Sequence, residues 1–273
     1  MSDFDRNLAP AQYGHTIGQA GTVAVDEGLR AYMLRIYNYM VLGLAITGFA
    51  ALGVYMISTT GDASAAATVL RNGMEIPARI GSHYLTPAGA FLFASPFRWV
   101  LMLAPLGMVF LLSFGIQRMR PATAQITFWI FAALMGLSLG SVFMVFTQTS
   151  VVRVFFITAA SFGALSLWGY TTQRDLTGMG SFLLMGLFGI ILASLVNLFM
   201  ASSMLQFVIS VVGVLVFAGL TAWDTQRLKN EYLYGAMDGE AMERSSILGA
   251  LSLYLNFINL FTLLLQLLGT REE

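Results

Sequence analysis

The sequence predicts an all-α, polytopic membrane protein with seven transmembrane helices, and three observations carry that expectation. Of 273 residues, 57% are hydrophobic and only 10% are charged, with a mean hydropathy of +0.75; soluble domains carry about 25% charged residues. Seven apolar runs, at 36–57, 99–117, 124–146, 151–170, 181–200, 204–224 and 246–268, each come near the ~20 residues that a helix needs to cross a hydrocarbon core. The links between them are short, apart from 58–98 and 225–245.

The same composition excludes several kinds of chemistry. Net charge is zero, so there is no basic footprint for nucleic acid. With no cysteine in the chain, disulfides, thiolate catalysis, iron–sulfur clusters and Cys-based zinc sites drop out. The two histidines, His15 and His83, lie outside the apolar runs, which removes haem ligation and HExxH zinc chemistry within the membrane. No cofactor is expected. Intramembrane aspartyl proteases need two carboxylates at mid-membrane and rhomboid-like ones a buried Ser–His pair; this chain offers neither, so it does not read as an enzyme.

Taken in order, residues 1–30 mix Gly, Gln and Ala with scattered charge and read as a flexible cytoplasmic tail, ahead of a seven-helix domain over 31–273. The N-terminus has no signal-peptide pattern. The long link 58–98 carries Pro77, Pro87 and Pro96 and has room for a short amphipathic or re-entrant piece; His83 and Glu75 in it could meet a divalent ion. Ala132, Gly136 and Gly140 recur at four, and Gly186, Gly189, Ala193 and Asn197 at three and four. Small residues so spaced let membrane helices approach closely. Asp175, beside Arg174 in the four-to-five link, reads as a solvated turn residue.

The sixth run ends in Asp224, followed by Gln226, Arg227 and Lys229, and 225–245 reads as an extension of helix six before the chain turns back. About eighteen helical residues from Leu205 place Asp224 at or just inside one membrane face. In the seventh run Ser252, Asn256 and Asn259 follow i, i+4, i+7 spacing, with Gln266 seven residues on, so they share one helix face. A polar stripe in a membrane faces a bundle interior or a wet cavity. The functional centre is therefore expected between helices six and seven. Asp224 is either an interfacial carboxylate paired with Arg227 or an ion-pathway group. Asn256 is either an interhelical amide or an ion ligand, and Asn259 and Gln266 are packing amides or further ligands. Arg118, after run two, is either an orientation anchor or a gating partner of Asp224.

Basic residues set the expected orientation. With the N-terminus inside, nine fall on the inner side (Arg6, Arg30, Arg35, Arg118, Arg120, Arg174, Arg227, Lys229, Arg244) and five outside (Arg71, Arg79, Arg98, Arg153, Arg271). The N-terminus is thus expected in the cytoplasm and the C-terminus outside it.

Three stretches in order, Gly163–Ser181, Gly219–Lys229 and Ala250–Phe261, resemble the Bax inhibitor-1 (transmembrane Bax inhibitor motif) family, in its bacterial branch, and the likeness runs from about Arg30 to Gly269. The resemblance implies a bundle with helix seven at its centre, in a bacterial inner membrane, and a calcium-permeable leak gated by protonation of two carboxylates on helices six and seven. Asp224 matches the first of these. Where the family pattern has the second aspartate, this chain has Asn256, in Tyr254-Leu255-Asn256-Phe257-Ile258-Asn259. Asparagine keeps the shape but cannot ionise, so weakened pH sensing is expected. Arg118 matches a basic residue at the inner end of helix two. Some bacterial members are assigned a different role, modulation of a membrane-bound AAA protease, and that remains the alternative.

Overall fold

The structure, a computed structural model, describes residues 13–71, 74–235 and 239–272. Seven long helices dominate it: α1 (Tyr13–Ser58), α2 (Phe97–Gly115), α3 (Pro121–Leu139), α4 (Gln148–Thr171), α5 (Thr177–Met200), α6 (Ser203–Tyr234) and α7 (Gly239–Leu268). Each contains a stretch long and apolar enough to cross a membrane. This is a multi-pass membrane protein. The expected runs are all present, mostly extended by a turn or more where polar residues continue the helix. Pro121, at the first helical position, sets the start of α3 ahead of its apolar run, because its missing N–H would have had no helical partner there. Of the expected tail, residues 1–12 lie outside the described residues, while 13–30 open α1.

Helix seven stands at the centre. In its most apolar stretch 61% of residues are buried, against 6% for α5 and no more than 39% for any other helix. α7 packs on α1, α3, α4 and α6. At the middle of the bundle the Tyr254 hydroxyl of α7 meets Thr47 Oγ1 of α1 at 2.6 Å, and the same hydroxyl of Thr47 donates to the Ala132 carbonyl of α3 at 2.8 Å. One buried polar pair thus ties three helices together. Phe128 and Phe131 stand edge-on against the Tyr254 ring, with centroids 6.0 and 5.3 Å away.

Close approach of α1 and α3 rests on the first small-residue repeat. A Cβ added to Gly136 would lie 2.5 Å from the Thr47 carbonyl oxygen, and one on Gly140 would run into the Val54 side chain. The second repeat is divided. Gly186 faces Val216 of α6, Asn197 hydrogen-bonds Gln206, and Gly189 faces open space.

The long link holds more order than its composition suggested. Five short strands, β1 (Thr59–Thr60), β2 (Thr68–Arg71), β3 (Met74–Pro77), β4 (Arg79–Ile80) and β5 (His83–Leu85), form a three-stranded sheet in the order β1-β5-β4 and a separate β2-β3 hairpin. The short helical piece follows at Pro87–Ala94. The chain's last described residues return to this end: Thr147 N donates to the Thr270 carbonyl and Glu272 N to the Val145 carbonyl, both at 3.0 Å. His83 Nε2 lies 2.6 Å from Glu272 Oε2, which also accepts from Ser82. His83 therefore meets Glu272 rather than Glu75, and among the described residues no three His, Cys, Asp or Glu side chains converge as a metal site.

Candidate functional site

α6 runs beyond its apolar stretch to Tyr234, so Asp224 lies nearly three turns inside the helix rather than at its end. The face it occupies is turned to α7. Asp224 is 4% exposed, which decides against a freely solvated interfacial carboxylate. A carboxylate taken out of water needs its lone pairs filled, and four donors do this. Oδ2 accepts from Asn256 Nδ2 at 2.7 Å and from Ser252 Oγ at 2.9 Å. Oδ1 accepts from Arg227 Nε at 3.0 Å, with Nη2 of the same guanidinium at 2.7 Å.

Each partner follows from helical spacing. Arg227 is one turn beyond Asp224 on α6, and Ser252 and Asn256 are one turn apart on α7. The Arg227 guanidinium lies over the Trp223 ring, 5.3 Å from its centroid, and its Nη2 also reaches Ser252 Oγ at 3.4 Å. The ion pair is asymmetric: the aspartate side chain is 6% exposed and the arginine 44%. One member of the pair can leave for water and the other cannot. Because the donor on α7 is an amide, the contact needs no proton; two carboxylates at that separation would have to share one.

Asp224, Arg227, Ser252 and Asn256 open onto a groove of about 950 Å³ bounded by α2, α5, α6 and α7. It continues past Asn259 and Thr262 to Gln206 and Gln266. At that far end Gln266 Oε1 accepts from Gln206 Nε2 at 2.6 Å and Ser210 Oγ at 2.9 Å, and Gln206 Oε1 accepts from Asn197 Nδ2 at 3.1 Å. Along the groove Asn259 Nδ2 donates to the Leu255 carbonyl of its own helix at 2.8 Å. The polar face expected on helix seven is thus the polar wall of one continuous groove. Arg118 sits elsewhere: it is exposed at the end of the turn that follows α2 and takes no part in the contacts of Asp224.

Sequence reasoning brought Asp224 and Asn256 together but missed how firmly Ser252 and Arg227 hold the carboxylate. The spacing of Arg227 carried that signal. It also missed the supports behind the site. Ser166 of α4 hydrogen-bonds Thr225, next to Asp224, at 2.9 Å, and takes Tyr37 of α1 as its other partner. Gln226 accepts from Leu176 N at 2.8 Å and donates to the Arg174 carbonyl at 2.7 Å, which pins the α4–α5 link to α6. In that link Thr177 donates its hydroxyl and its amide to Asp175, and these bonds hold the Asp175 carboxyl below its ordinary range.

Comparison with known proteins adds the ancestry. A family model described as "Inhibitor of apoptosis-promoting Bax1" matches residues 29–273. An uncharacterised protein of Rickettsia prowazekii is 44% identical over 273 residues, 100% of both chains, and one of Caulobacter vibrioides is 41% identical over 274 residues, again 100% of both. The Escherichia coli inner membrane protein YbhL is 42% identical over 247 residues, covering 90% of this chain and 94% of its own.

Proposed function

The chain belongs to the Bax inhibitor family, and from that membership together with the buried Asp224 cluster we propose that it is a cation-permeable leak of a bacterial inner membrane, with calcium as the permeant ion. Its gate is the Asp224–Asn256 contact between α6 and α7, reached along the polar α7 wall of the groove. The observation that carries this reading is the asymmetric ion pair: a buried carboxylate opening onto a groove with one polar wall, paired with an arginine whose side chain is 44% exposed. With Arg227 in place the carboxylate has no lone pair to offer a passing ion. When Arg227 swings into water, Asp224 is left as an anionic site inside a low-dielectric wall, which concentrates cations.

The inner-membrane placement rests on the likeness to YbhL, and the orientation, N-terminus in the cytoplasm, on the distribution of Lys and Arg. Asn256 supplies a donor that does not titrate, so the leak responds weakly to mild acidification. Calcium flux into liposomes that contain the purified protein alone tests the reading. Flux that depends on Asp224 supports it. No flux, together with co-purification of a membrane-bound AAA protease, would replace it with the modulator role.

A further inference from the structure

On the side of α7 turned away from Asp224, α1 and α4 both pack on α7 yet scarcely touch each other. The gap between them is a groove of about 1260 Å³. Its floor is the buried pair Phe162 and Phe257, edge to face with centroids 5.5 Å apart. Its walls are apolar, with exposed Val41 on one side and Leu167 on the other. Gly48 and Gly163 cut the walls back, since a Cβ at either would meet nothing within 4 Å. From Arg30 to Leu52 the α1 wall is about 33 Å long at 1.5 Å per residue, the full depth of a hydrocarbon core.

The charge at one mouth says what fits there. Arg30 lines the groove and, among the described residues, has no carboxylate within ion-pair distance. Lys229 is not itself in the lining but reaches it through Tyr170, a lining residue: its ammonium is bonded to the Tyr170 carbonyl at 2.9 Å and stands 5.3 Å from the centroid of the Tyr170 ring. An apolar trough of membrane depth with Arg30 in its lining and Lys229 held against another lining residue, Tyr170, matches an anionic phospholipid: acyl chain within, phosphate beside the cations. A second copy docked symmetrically on this face would instead bring like charges together.

We propose that the α1–α4 groove binds an acyl chain of an anionic phospholipid from the leaflet on the Arg30 side, with its phosphate held by Arg30 and Lys229. The occupant would lie against Phe257, the neighbour of Asn256 in sequence, and beside the Tyr37–Ser166–Thr225 chain, whose last member follows Asp224. The proposal does not depend on ion passage.

The test is native mass spectrometry of the full-length protein extracted from bilayers of equal phosphatidylglycerol and phosphatidylcholine, scoring retained lipid. One phosphatidylglycerol per chain is expected. Gly163→Trp, which fills the groove, should cut its retention at least about tenfold without lowering Tm. Arg30→Gln should cut the preference for phosphatidylglycerol over phosphatidylcholine about fivefold, the ratio that corresponds to ~1 kcal/mol per basic residue. Equal retention of both lipids by the unaltered protein overturns the proposal, as does retention unchanged in a folded Gly163→Trp. A dimer that Gly163→Trp abolishes assigns the groove to a second copy and also overturns it. If Gly163→Trp does not fold, Gly48→Trp gives the same readout.

Discussion

Asn256 of α7 donates a hydrogen bond to Asp224 of α6 over 2.7 Å. An amide thus sits where a second carboxylate would have to share a proton with the first. The pair is locked from the other side by Arg227, whose guanidinium holds Oδ1 while the side chain as a whole remains 44% exposed.

If Arg227 is a tethered cation that competes with permeant ones, removing it and removing its anion should act in opposite directions. Arg227→Gln should raise calcium flux into proteoliposomes at least about tenfold, and Asp224→Asn should lower it by a similar factor. The double variant should behave as Asp224→Asn. Asp224→Asn should cost little in Tm, because the unpaired Arg227 is already half-exposed. A flux unaltered by both single substitutions would reduce the cluster to a structural tie between α6 and α7.

Asn256→Asp recreates a carboxylate pair at hydrogen-bond distance. Two like charges so close cannot both be held without cost, and the pair competes for one shared proton. The variant should gain a pH-dependent calcium flux between about pH 6 and 8, the window in which such a pair acts as a switch. The unaltered protein should show a flat profile over the same range, and steep Asp224-dependent gating there would refute the account of Asn256.

Orientation is open to a direct measurement. A reporter inserted near Gly235 should be cytoplasmic, and one fused after Glu273 extracytoplasmic, in accord with the excess of Lys and Arg on the Arg118, Arg174 and Lys229 side. The reverse result would place Asp224 near the opposite face.

Two backbone positions give opposite stability predictions. Gly136→Leu drives a side chain into the Thr47 carbonyl, 2.5 Å from its Cβ position, and should cost about 3 kcal/mol or more in unfolding measurements. Ala201 ends α5 with φ of +48°, in the left-handed region. Ala201→Gly should relieve that strain and stabilise the protein by about 0.5–1 kcal/mol, the remainder being offset by the freer unfolded chain.

How much of this was legible in the sequence depended on the range of the interaction involved. Helical periodicity is local, so the spans, the extension of helix six and the shared face of Ser252, Asn256 and Asn259 could all be read from spacing. The burial of Asp224 could not: hydropathy placed it at a membrane face, whereas the polar continuation of α6 and the central α7 enclose it. The strands of the 58–98 link stayed hidden because each is two to four residues long, too short for any period to appear. Arg118 was open as a partner of Asp224 through the family resemblance and a shared membrane side, and neither specifies distance. The Gln226 clamp on Leu176 and Arg174 joins residues about fifty positions apart, which no local pattern encodes.

The helix at the core of the bundle is also the one that follows the other six in the chain. During synthesis α1 to α6 enter the bilayer before α7 exists, so Tyr254 is absent when Thr47 and Ala132 come together, and Asp224 has Arg227 but neither Ser252 nor Asn256. The bundle of α1 to α6 therefore lacks the helix on which α1, α3, α4 and α6 all pack. Its consolidation must wait for α7 to slide in between helices already inserted, after which the Thr270–Glu272 strap closes over the α3–α4 connection. A nascent chain arrested before Gly239 should accordingly be a substrate for membrane quality control rather than a smaller working bundle.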